Sequence, residues 1–137
     1  MIRRHFRLKA KVALLLAVGI PGPYFLLQYF PILQATPAPS IFLDGKIPFI
    51  PETMWIYQTL YPCLLLVGFS LFRRHDVIRY SWTLLLASVI ADFVFLIHPT
   101  FVPRPDFAQG LYGIWTQMER PMNAIPSLHA AFIAISW

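Results

Sequence analysis

Three long apolar runs, separated by short clusters of charge, constrain this chain more than any other feature. Residues 12–30 are apolar except for Gln28, residues 54–72 form a second run, and residues 78–97 form a third that holds one carboxylate, Asp92. About 20 apolar residues span the hydrocarbon of a bilayer. There every backbone N–H and C=O must be satisfied within the segment, so such runs are helices. Only 12% of the residues are charged, against about 25% in soluble domains. The expected fold class is therefore all-α: a single-domain integral membrane helical bundle, residues 1–137, with spans at about 12–30, 54–72 and 78–97. The basic residues flank apolar runs instead of forming a stripe with a nucleic-acid motif, so no nucleic-acid partner is expected.

The first run has two readings. A basic start followed by an apolar stretch and a break is also the pattern of a cleaved signal peptide. No small-x-small cleavage site follows, and apolar character resumes from Tyr24 to Phe30. We read it as a retained first span kinked by Pro21 and Pro23. Trp55 and Tyr57 open the second run as an aromatic belt would. Residues 31–53 and 98–125 read as polar loops, the first with an interfacial piece around Ile47 to Pro51. Cys63 has no second cysteine to pair with.

Charge orients the chain. Arg3, Arg4, Arg7, Lys9 and Lys11 crowd the N-terminus, and Arg73, Arg74 and Arg79 crowd the turn after the second run. Loops rich in Lys and Arg stay cytoplasmic, and two spans between these clusters put both on one side. The N-terminus is expected in the cytoplasm of a multi-pass cell-membrane protein, with the 31–53 and 98–125 loops outside.

The outward loops hold the reactive side chains. Arg120, Asn123, Pro126, Ser127 and His129 crowd one stretch just before an apolar run. Proline is favoured at the first helical position, so a helix is expected from Pro126, with Ser127 and His129 in its first turn and residues 126–137 as the start of a fourth span. A helix N-terminus binds phosphate through free N–H groups and its dipole. Ser at a helix start is also ordinary capping chemistry. Arg104 and Arg120 suit bidentate phosphate binding, or they anchor to headgroups. His98 reads as an interfacial polar residue. Asp92 is either a functional intramembrane carboxylate or a residue near enough to the outer end to reach water. The four histidines are scattered, and no carboxylate stands at ligand spacing to His129, so neither a metal nor another cofactor is expected.

Pro126-Ser127-Leu128-His129, with Asn123 before it and Ala130-Ala131 after it, resembles the second signature of the type 2 phosphatidic acid phosphatase superfamily. The closest likeness is to its inositol phosphorylceramide synthase-like branch. The stretch from Asp44 to Pro51 resembles a segment that precedes the second span in that branch. His98-Pro99-Thr100 through Pro103-Arg104-Pro105 resembles the first signature. There the superfamily usually carries a Lys seven residues before the Arg, whereas this chain has Ile97. The resemblance covers the chain from about residue 40 onward.

The resemblance implies a phosphomonoester or phospholipid substrate, cleaved or transferred through a phosphohistidine. Arg104 and Ser127 would bind phosphate oxygens, and His129 would be the general acid. The nucleophile would be a second His in a third signature of Arg, His and Asp that these 137 residues do not contain. The chain is therefore expected to be the N-terminal part of a six-helix phosphatase-like domain, inactive alone. The alternative is a non-catalytic membrane protein that assembles with partners or binds anionic lipid.

Overall fold

The computed structural model describes residues 5–40, 42, 46–105 and 109–137. It is mostly helical, as the apolar runs require. The helices are α1 (Phe6–Gly19), α2 (Pro21–Tyr29), α3 (Met54–Gln58), α4 (Leu60–Ser70), α5 (Arg74–Ile97), α6 (Gly110–Met118) and α7 (Leu128–Ser136). Two short strands, β1 (Thr36–Pro37) and β2 (Thr100–Phe101), pair in parallel.

Prolines set the helix breaks. A helical proline lacks an N–H, and its ring clashes with the carbonyl four residues back. Pro21 and Pro23 would meet the carbonyls of Ala17 and Gly19, and α1 ends at Gly19. The chain turns at Ile20, and α2 begins on Pro21. Pro62 acts the same way on Gln58, the last residue of α3. The chain bridges that gap with a tighter bond from the Thr59 N–H to the Ile56 carbonyl. No proline falls in α5, which runs unbroken for 24 residues, about 36 Å at 1.5 Å per residue.

Two helical stretches, Phe6–Tyr29 and Arg74–Ile97, are long and apolar enough to cross a membrane by length and composition. That supports a membrane protein. The second expected span, 54–72, is helical only to Ser70 and is broken at Thr59, because Leu71 turns extended. Its 17 residues reach about 25 Å at 1.5 Å per residue, short of the roughly 30 Å hydrocarbon core. The 73–79 turn is also shorter than expected. The helix α5 starts at Arg74 and takes up His75, Asp76 and Arg79, with Asp76 in its first turn, where the dipole favours an anion.

The buried face of α5 carries Val77, Ser81, Leu84, Ser88, Ala91 and Phe95, spaced alternately four and three residues apart. That spacing marks one helical stripe. Ser81 and Ser88 donate back to the Val77 and Leu84 carbonyls at 2.7 and 3.0 Å, so their hydroxyls are satisfied inside the helix. Leu84 joins Leu60 of α4 and Phe132 of α7 at the centre of the core. The opposite side of α5 exposes Trp82, Leu86, Val89, Ile90, Phe93 and Ile97. A contiguous exposed apolar face of this kind is foreign to soluble monomers, which rarely show such patches beyond a few hundred Å².

The bundle has two chemically different ends. At one, Lys9 is 3% exposed and donates from Nζ to the Phe69 carbonyl at 2.6 Å. Phe6 packs on Phe69, with ring centroids 6.0 Å apart. The described basic residues of the N-terminal arm and those of the 73–79 segment thus share this end. At the other end three loops meet. The Thr36 N–H donates to the Pro99 carbonyl, and the Val102 N–H donates to that of Pro121. Residues 98–125 are not one loop, because α6 interrupts them. Leu111, Tyr112, Ile114, Trp115 and Met118 give that segment apolar character, and Phe49 meets Tyr112 edge-on at 4.9 Å. Residues 47–50, expected as an interfacial piece, are irregular and are followed by a single 3-10 turn, Pro51–Thr53. Asp44 and Gly45 of the family-like stretch lie outside the described residues.

Candidate functional site

The loop end encloses a cavity of about 440 Å³ whose lining includes Tyr24, Tyr57, Arg104, Glu119, Ser127 and His129. Arg104, Ser127 and His129, the three residues to which the resemblance gives roles, therefore border one space, together with Asn123. Arg104 arrives from the irregular segment after β2. Ser127 and His129 arrive from the start of α7.

The start of α7 differs from expectation. Its first residue is Leu128, and Ser127 is the N-cap, with extended backbone. Pro126 follows a cis peptide bond and lies outside the helix. The Ser127 hydroxyl accepts from the Ala130 N–H at 3.3 Å, the usual duty of an N-cap. Ser127 still lines the cavity, and its own O–H remains a donor. His129 is in the first turn, as expected.

Glu119 organises the polar side of the cavity. It is 8% exposed and receives the Tyr24 hydroxyl at 2.7 Å on Oε1. On Oε2 it receives the Trp115 indole N–H and the Arg104 Nη2 at 3.3 Å. Arg104 Nη1 also donates to the Glu119 backbone carbonyl at 2.8 Å. The guanidinium is thus oriented and charge-paired by a buried carboxylate. Nothing local in the sequence marks Glu119 for this: it reads as one acidic residue in a polar loop.

His129 is held by aromatic rings. Tyr57 stacks on it, with centroids 3.8 Å apart and planes 22° apart, and Tyr61 meets it edge-on at 5.6 Å. The Tyr57 hydroxyl lies 2.8 Å from Nδ1. The other ring nitrogen, Nε2, is buried without a protein partner among the described residues. Asn123, at φ 59°, sits in the left-handed region that Asn tolerates better than most residues. Its Nδ2 donates to the Tyr24 carbonyl at 3.4 Å, and its Oδ1 is buried without a partner among the described residues. Tyr57, like Glu119, carries no local sign of this role: in the sequence it reads as an interfacial belt residue.

Three other residues singled out in the sequence do not line this space. Arg120 lies over the Tyr29 ring at 4.6 Å, while its carbonyl accepts from Gln28 Nε2 at 2.8 Å. His98 is exposed at the C-terminal cap of α5. Asp92 sits on α5, with Oδ1 buried and without a hydrogen-bond partner among the described residues. Among the described residues no three His, Cys, Asp or Glu side chains converge as metal ligands.

Chemically, the cavity is bordered by one paired cation, one carboxylate, hydroxyls and one imidazole within apolar and aromatic walls. Comparison with family models, with curated proteins and with solved structures returns no match to this chain.

Proposed function

We propose that this chain is a multi-pass membrane protein whose loop-end cavity binds the phosphate of a lipid. In this reading it supplies the phosphate-binding and proton-donating half of a phosphatase or phosphotransferase of the phosphohistidine type. Arg104 and Ser127 hold phosphate oxygens, and His129 serves the leaving oxygen. Three spans and the start of a fourth carry the site, the N-terminus is cytoplasmic, and the cavity faces outward. The observation that carries the reading is that Arg104, Ser127 and His129 border one cavity at the end of the bundle opposite the basic segments. A lipid headgroup at that end would meet the cavity while its acyl chains lay along the apolar helix faces.

The test uses the full chain in phosphatidylcholine nanodiscs, titrated with a short-chain phosphatidate. Hydrogen bonds to charged groups contribute about 1.5–3 kcal/mol, so Arg104→Gln is expected to weaken binding roughly 10- to 100-fold. The chain alone is expected to bind without turnover. Release of phosphate that His129→Ala abolishes would overturn that second statement.

One observation favours the alternative, a non-catalytic protein that binds anionic lipid. Arg104 is already paired with Glu119, which lowers its attraction for a second anion. That alternative predicts phosphatidate binding that Arg104→Gln leaves unchanged and that Arg73→Gln with Arg74→Gln weakens.

A further inference from the structure

We propose that α6, α3 and the segment from Ile47 to Ile50 form an interfacial ledge: their outward side lies among the headgroups and first acyl carbons of one lipid leaflet, not in water. The fold brings these segments together at the loop end. The helix α6 packs on α3 and on the 3-10 turn Pro51–Thr53, and Phe49 meets the Tyr112 ring edge-on at 4.9 Å. Their outward side carries Ile47, Ile50, Trp55, Ile56, Ile114 and Met118, which are between 48 and 73% exposed.

Composition says what covers that side. A surface helix of a soluble protein puts charged and polar residues on its outer face, and a helix apolar all round belongs in a core or a membrane. Gly110–Met118 contains no charged residue. Ile114 and Met118, neighbours one turn apart on a helix surface, are exposed, whereas Gly113 is buried. Between Ile47 and Gln58 the only charged residue is Glu52. Trp55, Tyr57, Tyr112 and Trp115 add the amphipathic rings that collect at headgroup depth. The opposite end of the bundle differs, because Arg73, Arg74 and Arg79 stand exposed there.

Helix length points the same way. The stretch from α3 to α4 reaches about 25 Å, against roughly 30 Å for the hydrocarbon core. The ledge sits beside α3, at the loop end of that stretch, and supplies apolar surface where the helix stops short. A consequence follows for the cavity. Tyr57 of α3 and Trp115 of α6 line it, so ledge and cavity are built on the same two helices and lie at one depth. Whatever enters the cavity does so at the level of the headgroups. The ledge rests on the membrane part of the functional reading and is independent of the phosphate part.

The test is nitroxide labelling of the full chain in phosphatidylcholine nanodiscs, in a Cys63→Ser background that leaves each variant one thiol. Ile114→Cys, Met118→Cys and Trp55→Cys report on the ledge. Val89→Cys, on the exposed face of α5, marks hydrocarbon, and Arg73→Cys marks water. Molecular oxygen concentrates in lipid and a nickel chelate stays in water, so the ratio of their collision rates reads depth. The ledge labels are expected to give ratios between those of the two markers, with far fewer nickel collisions than Arg73→Cys. Ratios equal to that of Arg73→Cys, with Val89→Cys still in lipid, would overturn the ledge and leave the membrane spans standing. Labels that neither reagent reaches would place a protein surface over the ledge and overturn it as well. A Val89→Cys label in water would overturn the membrane reading and the ledge together. Three ledge positions keep the test decisive if one variant does not fold, and no outcome depends on phosphatidate binding.

Discussion

Replacing Glu119 with Ala removes the acceptor on which three donors converge. The Tyr24 hydroxyl and the Trp115 indole N–H lose their partner inside the protein. A buried donor left unsatisfied costs about 1–3 kcal/mol. Arg104 loses less. Its side chain is 28% exposed, so water reaches it, and it keeps the bond to the residue 119 carbonyl. The sum for Glu119→Ala is about 3–5 kcal/mol, in line with breaking one side of a buried ion pair. Glu119→Gln keeps one acceptor oxygen and the shape, and should cost about half as much. For a chain of this length each kcal/mol moves Tm by about 3–4 °C, so Glu119→Ala should lower Tm by roughly 10 °C or more in nanodiscs. Arg104→Gln combined with Glu119→Gln should cost less than the two singles added, by about 0.5–3 kcal/mol, as for residues in one network. A Glu119→Ala cost below about 1 kcal/mol, or strict additivity in that cycle, would refute the picture of Glu119 as the hub of the cavity wall.

Three further outcomes follow from individual contacts. Thr100 is 3% exposed and accepts from the Ile125 N–H at 3.0 Å, so Thr100→Val should cost about 1–3 kcal/mol and accelerate hydrogen exchange at the Ile125 amide. Ser127→Ala removes the α7 cap and should cost about 1 kcal/mol, while Ser127→Gly should cost only a few tenths; equal unfolding midpoints for the two would contradict the cap. Lys9→Met strips the last turn of α4 of the cation that satisfies its Phe69 carbonyl, an end group with no partner inside the helix. It should cost about 1–2 kcal/mol, and a midpoint unchanged from wild type would count against that contact.

Much of the architecture is legible in the residues taken in order. Unbroken apolar runs make helices whatever their neighbours do, because backbone groups satisfied locally need no partner from elsewhere. Pro21, Pro23 and Pro62 lie just beyond the points where those helices break, because a missing N–H and a ring clash act within four residues. The basic clusters around Lys9 and Arg73 come together because the chain runs away along α1 and α2 and returns along α3 and α4.

What only the tertiary structure decided are the partners. Glu119 lies 15 residues from Arg104 and 95 from Tyr24, and Tyr57 lies 72 from His129. No periodicity in a local window connects such positions. Each pair forms because the packed helices bring separate loops to one end, where a buried polar group must find whatever partner is within reach. The resemblance around Ser127 and His129 singles out a stretch of chain that borders the cavity. That the serine is spent on capping, that the arginine is held by a carboxylate and that the imidazole is gripped by a tyrosine are facts of packing, which sequence spacing does not encode.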